Sequence, residues 1–78
     1  MNLLINIQTF SQLAAALLNK YDSPKGRNTN DIFYQDNGVS VKISRTSDIL
    51  NSDIYIVLRN SEQVLKTKNL SELKSEVL

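Results

Sequence analysis

Apolar residues recur at helical spacing near the start of the chain. Between residues 9 and 21 this spacing predicts one helix, with apolar positions at Phe10, Leu13, Ala14, Leu17, Leu18 and Tyr21. Thr9 followed by Gln12 has the form of a capping box, which places the start of the helix at Thr9. Because Pro24 disfavours helical geometry at the residue before it, the helix should end by Tyr21 or Asp22.

Three further segments lie outside the first helix and the strands: a last helix, an ambiguous N-terminal segment and a loop. Asn69 with Glu72 three positions later predicts the start of a last helix, whose apolar stripe is Leu70, Leu73 and Val77. Residues 3–7 fit either an extension of the first helix or a short strand, and we favour a helix with a break near Thr9. Residues 22–30 are polar and contain a proline and a glycine, which predicts a loop.

From residue 31 the apolar period becomes two, which is typical of strands. Asn37-Gly38 lies between two β-rich runs and predicts a hairpin with a two-residue turn. Such a turn fixes the register, with four pairs: Asp36 with Val39, Tyr34 with Val41, Phe33 with Lys42, and Ile32 with Ile43. A third strand is expected over 53–59 after a polar turn around 47–52. A fourth, over 62–66, would set Arg59 opposite Glu62.

This order predicts a single α+β domain over residues 1–78, with a three- to four-stranded antiparallel sheet. The N-terminal and C-terminal helices are expected to pack on one face of that sheet. The expected core is Phe10, Leu13, Leu17, Ile32, Tyr34, Val41, Ile43, Ile54, Ile56, Leu58, Leu70, Leu73 and Val77. The other face of the sheet is then expected to stay open.

Histidine and cysteine are both absent from the 78 residues. Their absence removes the commonest metal ligand, the thiolate nucleophile and any disulfide. Asp48, Asn51 and Asp53 lie close together, but a calcium loop needs more carboxylates and a glycine. No phosphate-binding or nucleophile motif occurs. We therefore expect a protein that is not an enzyme, with no catalytic residue, metal site or cofactor.

The net charge and the lengths of the apolar runs limit the kinds of partner that are expected. The net charge is +1, which is too small for strong attraction to nucleic acid or an anionic membrane. No run approaches the roughly 18 apolar residues needed to cross a bilayer, so no membrane association is expected. The lack of cysteine fits a cytoplasmic protein.

The open face of the sheet is the expected partner-binding surface. Aromatic residues and arginine are enriched in interface cores. This surface is predicted to contain Phe33, Lys42, Tyr55, Val57 and Arg59, with Val64 if the fourth strand forms. The expected partner is a protein or a ribonucleoprotein. A homodimer that uses the same face is an alternative.

A small basic group flanks the predicted loop, with members Lys20, Lys25 and Arg27. It suggests contact with nucleic acid or with an acidic partner. The order helix, three strands, helix resembles that of the double-stranded-RNA-binding domain, which reads A-form shape. That family places cations at the start of its last helix, where this chain has Glu72 and Glu76. No binding residue is therefore carried over, and nucleic-acid binding remains the alternative function.

In size and element order the chain also resembles small inhibitor proteins of phages and mobile elements, including anti-CRISPR proteins. That resemblance implies a non-catalytic inhibitor that occludes a site on a larger protein or ribonucleoprotein. A protein-interaction module is therefore the leading expectation for function.

Overall fold

A computed structural model describes residues 7–21 and 30–78 of the chain. These residues form the elements α1 (Phe10–Lys20), β1 (Asp31–Asp36), β2 (Val39–Ser47), β3 (Asp53–Arg59), β4 (Glu62–Thr67) and α2 (Leu70–Val77). The strands make one antiparallel sheet in the order β1-β2-β3-β4, which confirms the predicted α+β class. The predicted helix or strand at residues 3–7 and the predicted loop at residues 22–30 lie largely outside the described residues, because residues 3–6 and 22–29 are not described.

Side-chain caps fix the starts of both helices. The Thr9 hydroxyl accepts from the Gln12 backbone N–H at 3.1 Å, and the Gln12 side chain accepts from the Thr9 N–H at 3.1 Å. This confirms the predicted capping box. Asn69 caps α2, because its side-chain oxygen accepts from the Ser71 N–H at 2.8 Å. Lys74 of α2 contacts the segment before α1, because its Nζ donates to the Ile7 carbonyl at 2.8 Å.

Both outer hairpins have the predicted register. All four pairs expected around Asn37-Gly38 are present, and both turn residues have positive φ, 52° and 83°. Arg59 lies opposite Glu62, across a turn in which Asn60 and Ser61 have φ of 50° and 69°. Positive φ at both central positions is the type I′ geometry that suits the strand twist. Val64 is the extra residue of a bulge in β4, because Val57 pairs with Leu65 while Leu58 pairs with Gln63.

The register between β2 and β3 overturns part of the predicted core. Ile43 lies opposite Val57, and Arg45 lies opposite Tyr55. Tyr55 and Val57 are therefore buried, whereas the three residues predicted for the core of this strand are only half-buried and face the other way: Ile54, Ile56 and Leu58. The placement of Tyr55, Val57 and Arg59 on the open face was wrong.

Loop length explains the error. The loop between β2 and β3 has five residues, 48–52, and is closed by the pair Ser47 with Asp53. A loop one residue shorter or longer would set Ile43 opposite Ile56 or Leu58. Since the side-chain period of a strand is two, that slip would exchange the faces. Both faces of β3 are apolar, so alternation alone favours neither one.

Aromatic contacts join α1 and its C-cap residue to the buried face of the sheet. Phe10 of α1 stacks on Tyr55, with ring centroids 5.7 Å apart, and Tyr21 stacks on Tyr34 at 4.5 Å. The observed core is Ile7, Phe10, Leu13, Ala14, Leu17, Ile32, Tyr34, Val41, Ile43, Tyr55, Val57, Leu73 and Val77. Leu70, predicted for the core, is partly buried and packs against it.

The turns provide a matched pair of stability predictions. We expect Ser61→Gly to stabilise the fold by about 0.5–1 kcal/mol, because glycine adopts a positive φ without steric cost. Gly38→Ala should cost about 1–2 kcal/mol, since a Cβ at Gly38 would meet nothing within 4 Å and the cost is conformational. Urea denaturation measures both. A stabilising Gly38→Ala would contradict the turn geometry.

Truncating one side chain on each side of β3 tests which side is buried. Val57→Ala removes buried atoms and should cost roughly 2–3 kcal/mol, from the transfer and cavity terms. Ile56→Ala removes more atoms but from a half-exposed position, so it should cost under about 1.5 kcal/mol. The comparison is made by denaturant unfolding of both variants. A larger loss for Ile56→Ala than for Val57→Ala would show that the assigned faces are reversed.

Candidate functional site

The side of the sheet that faces away from the core is called the outer face here. Its centre consists of two cross-strand rows, which are Phe33, Lys42, Leu58 and Gln63, and then Asp31, Ser44, Ile56 and Lys66. Ile54 opposite Thr46 continues the apolar line of β3. The contacts that the structure records from both helices reach the opposite face of the sheet.

Apolar side chains of this outer face reach solvent. Phe33 is 42% exposed, and Ile54, Ile56 and Leu58 are half-buried. Val64, the unpaired bulge residue of β4, is 43% exposed. The Lys42 ammonium lies 5.5 Å from the centroid of the Phe33 ring, within the range of a cation–π contact. Its aliphatic stem therefore adds to the apolar area while its charge stays near the surface.

The charges of the outer face are mainly positive. Lys42 lies in the central row and Lys66 lies on the edge strand opposite Ile56. Asp31, at the start of β1, is the carboxylate among the paired residues of this face. An apolar line beside two lysines is complementary to a surface that combines apolar and acidic groups.

The structure places the predicted partner residues on two different sides of the sheet. Phe33 and Lys42 lie together on the outer face, opposite each other in register. Tyr55 and Val57 lie in the core. The Arg59 guanidinium holds α2, since it donates to the Glu76 carbonyl at 3.1 Å and forms an ion pair with the Glu76 carboxylate at 3.3 Å.

The predicted basic group is only partly described. Lys20 is exposed at the end of α1, with its Nζ 5.1 Å from the centroid of the Tyr21 ring. Lys25 and Arg27 lie outside the described residues, so their proximity to Lys20 stays a prediction.

The loop between β2 and β3 carries a feature that the sequence analysis missed. It was expected to be a polar turn, yet Ile49 is 97% exposed and Leu50 is 78% exposed. The signal in the sequence is a pair of branched aliphatic residues between Asp48 and Asn51, where turns ordinarily have small or polar residues.

Asp48 organises this loop and has a shifted pKa. One carboxylate oxygen accepts from the backbone N–H groups of Leu50 and Ser52, at 2.8 and 2.9 Å. The other lies 2.7 Å from the Lys68 Nζ. The hydrogen bond from Lys68, followed by those from the backbone, lowers the pKa of Asp48 to about 2.

Two buried tyrosines are shifted in the other direction. Burial raises the pKa of Tyr34 to about 12 and also raises the pKa of Tyr55. Burial disfavours the charged phenolate, so both rings act as neutral core residues at physiological pH.

Within residues 7–21 and 30–78, no group of three or more carboxylate, histidine or cysteine side chains is arranged to hold a metal ion. In the same part of the chain, every helix is too short or too polar to cross a lipid bilayer.

Comparison with known proteins yields no assignment. The chain matches no protein-family model, no curated protein and no solved structure at a significant level.

The hydrogen bonds of Asp48 predict an acid-dependent loss of stability. Its folded pKa lies below the unfolded value of about 3.9, so its stabilising contribution is complete above that value and is lost as the pH falls through about 2. NMR titration of the Asp48 side-chain carbon should give a midpoint near 2. Lys68→Met should raise that midpoint, whereas Lys66→Met should leave it in place. An unchanged midpoint in Lys68→Met would contradict the assigned cause.

Proposed function

We propose that this protein is a non-catalytic interaction domain that binds a protein partner through the outer face of its sheet. The observation that carries the proposal is the line of apolar side chains on a face that the recorded helix contacts do not reach. Phe33 is 42% exposed, and the line continues through the half-buried Leu58, Ile56 and Ile54. Contiguous exposed apolar patches on a protein surface mark interaction sites.

Charge decides which partner fits best. Two lysines stand beside the apolar line, Lys42 in its centre and Lys66 at its edge. Two copies packed face to face would place four lysines and only two Asp31 carboxylates in one interface, and desolvating this excess of positive charge is unfavourable. A partner surface that combines apolar side chains with carboxylates would pair with the lysines instead. We therefore propose an acidic, apolar protein surface as the occupant.

In its most specific form, the proposal is an inhibitor that acts in the cytoplasm and occludes a site on a larger protein or ribonucleoprotein. Its support is the resemblance in element order to phage and mobile-element inhibitors.

A selection with defined probes tests the proposed surface. A random peptide library displayed on phage is panned against the protein and counter-selected against the double variant F33T/I56T, in which threonine retains high strand propensity. We expect enriched peptides to combine Asp or Glu with aliphatic or aromatic residues. The best synthetic peptide should bind F33T/I56T at least about tenfold more weakly.

Charge-matched variants complete the test. Lys42→Gln should weaken the peptide by about threefold, with a smaller salt dependence, whereas Lys20→Gln, on another part of the surface, should bind normally. Peptides without acidic residues, or equal binding by F33T/I56T, would refute the proposed surface. A 20-base-pair RNA or DNA duplex is assayed in parallel at low salt, and duplex binding that Lys20→Gln weakens would favour the nucleic-acid alternative.

A further inference from the structure

The tip of the loop between β2 and β3 presents two aliphatic side chains to solvent. The Asn51 N–H donates to the Asp48 carbonyl at 3.0 Å, so residues 48–51 form a β-turn with Ile49 and Leu50 at its centre. Central turn positions are ordinarily filled by proline, glycine, asparagine, aspartate or serine. With exposures of 97% and 78%, the two side chains gain almost nothing from burial in this fold.

The turn itself is held by groups other than these two side chains. The Asp48 N–H donates to the Ser52 carbonyl at 3.0 Å, and the Asp48 carboxylate accepts from the Leu50 and Ser52 N–H groups. Lys68 of the segment after β4 fixes the same carboxylate at 2.7 Å. Every one of these bonds uses the backbone or the side chains of Asp48 and Lys68. The fold therefore does not require aliphatic residues at positions 49 and 50.

We propose that the Ile49–Leu50 tip is a preformed anchor that inserts into an apolar pocket on the partner protein. The inference rests on the proposed function and deepens it, because the loop leads directly into β3, the strand that carries the apolar line of the outer face. Ile54 lies on that face next to the pair Ser47 with Asp53 that closes the loop, so one partner can contact the tip and the apolar line of β3 together. A rigid turn loses little conformational entropy on binding.

The surroundings of the tip favour a protein pocket over a lipid surface. Asn51 and Ser52 are exposed, neutral and polar, and they surround the aliphatic pair as a polar rim surrounds an interface core. The charges of Asp48 and Lys68 compensate each other, and the exposed Asp53 leaves a negative excess at the base of the tip. Peripheral membrane anchors carry basic residues beside their apolar side chains, and residues 47–53 contain no lysine or arginine.

The test begins with a photo-crosslinker at position 50, compared with one at the exposed Ser75 of α2. Extracts of the cells that make the protein are irradiated, and the partner crosslinked only from position 50 is purified. Its Kd is then measured by calorimetry for the wild type, I49S/L50S, I49L/L50I and F33T/I56T. We expect I49S/L50S to bind roughly 100-fold more weakly, from the loss of two buried side chains. I49L/L50I, which keeps the apolar area, should stay within about threefold.

The variants separate the two proposals. If I49S/L50S binds like the wild type while F33T/I56T loses affinity, the anchor is refuted and the proposed function stands. If both variants bind like the wild type, the anchor and the proposed outer-face function are both refuted. If no protein is crosslinked from position 50, the anchor alone is refuted, and the outer face is still tested by the peptide selection. Thermal unfolding should give I49S/L50S the Tm of the wild type or a higher one, which excludes misfolding as the cause of lost binding.

Two further measurements test a lipid membrane and a second copy of the chain as alternative binding partners of the tip. Binding to vesicles of phosphatidylcholine and phosphatidylglycerol in a 3:1 ratio, lost in I49S/L50S, would show that the tip is a membrane anchor and overturn the proposal. Sedimentation that finds a dimer of the wild type and a monomer of I49S/L50S would overturn it in favour of self-association. A wild type that ignores the vesicles and sediments as a monomer is the expected result.

Discussion

The five-residue loop between Ser47 and Asp53 determines which side of β3 is buried. It sets Val57 opposite Ile43, and the neighbouring residues of β3 follow from that pair because successive side chains of a strand alternate. Tyr55 is thereby brought under Phe10, where the two rings stack, and Arg59 is brought within reach of α2. The attachment of both helices thus depends on the number of residues in one loop.

The same register leaves a central strand that is apolar on both sides. Val57 is fully buried, while Ile56 on the other side of β3 is only partly covered. Aliphatic side chains at half-exposed positions contribute less to stability than they would in a closed core, because apolar area must leave water to stabilise. Part of the apolar surface of β3 therefore remains exposed to water, and a partner that covers the outer face would bury it.

Sequence reasoning predicted the parts of this fold that local chemistry specifies. Asn37-Gly38 fixed one register through a two-residue turn, and the capping box fixed the start of α1. The turn before β3 contains no glycine, and Asn51 supplies the positive φ of 63° instead, so loop length was not readable from composition. Phe33 and Lys42 were placed correctly beside each other, whereas Tyr55 was not, because its face depends on pairing across that loop.

The hydrogen bond from Lys74 to the Ile7 carbonyl joins positions 67 residues apart in the chain. A contact between such distant positions can form only after the intervening sheet has brought the two helices together. Neither helix is then an independent unit, and fraying of α2 would also loosen the entry into α1. Opening of α2 should accordingly be coupled to opening of the segment that leads into α1.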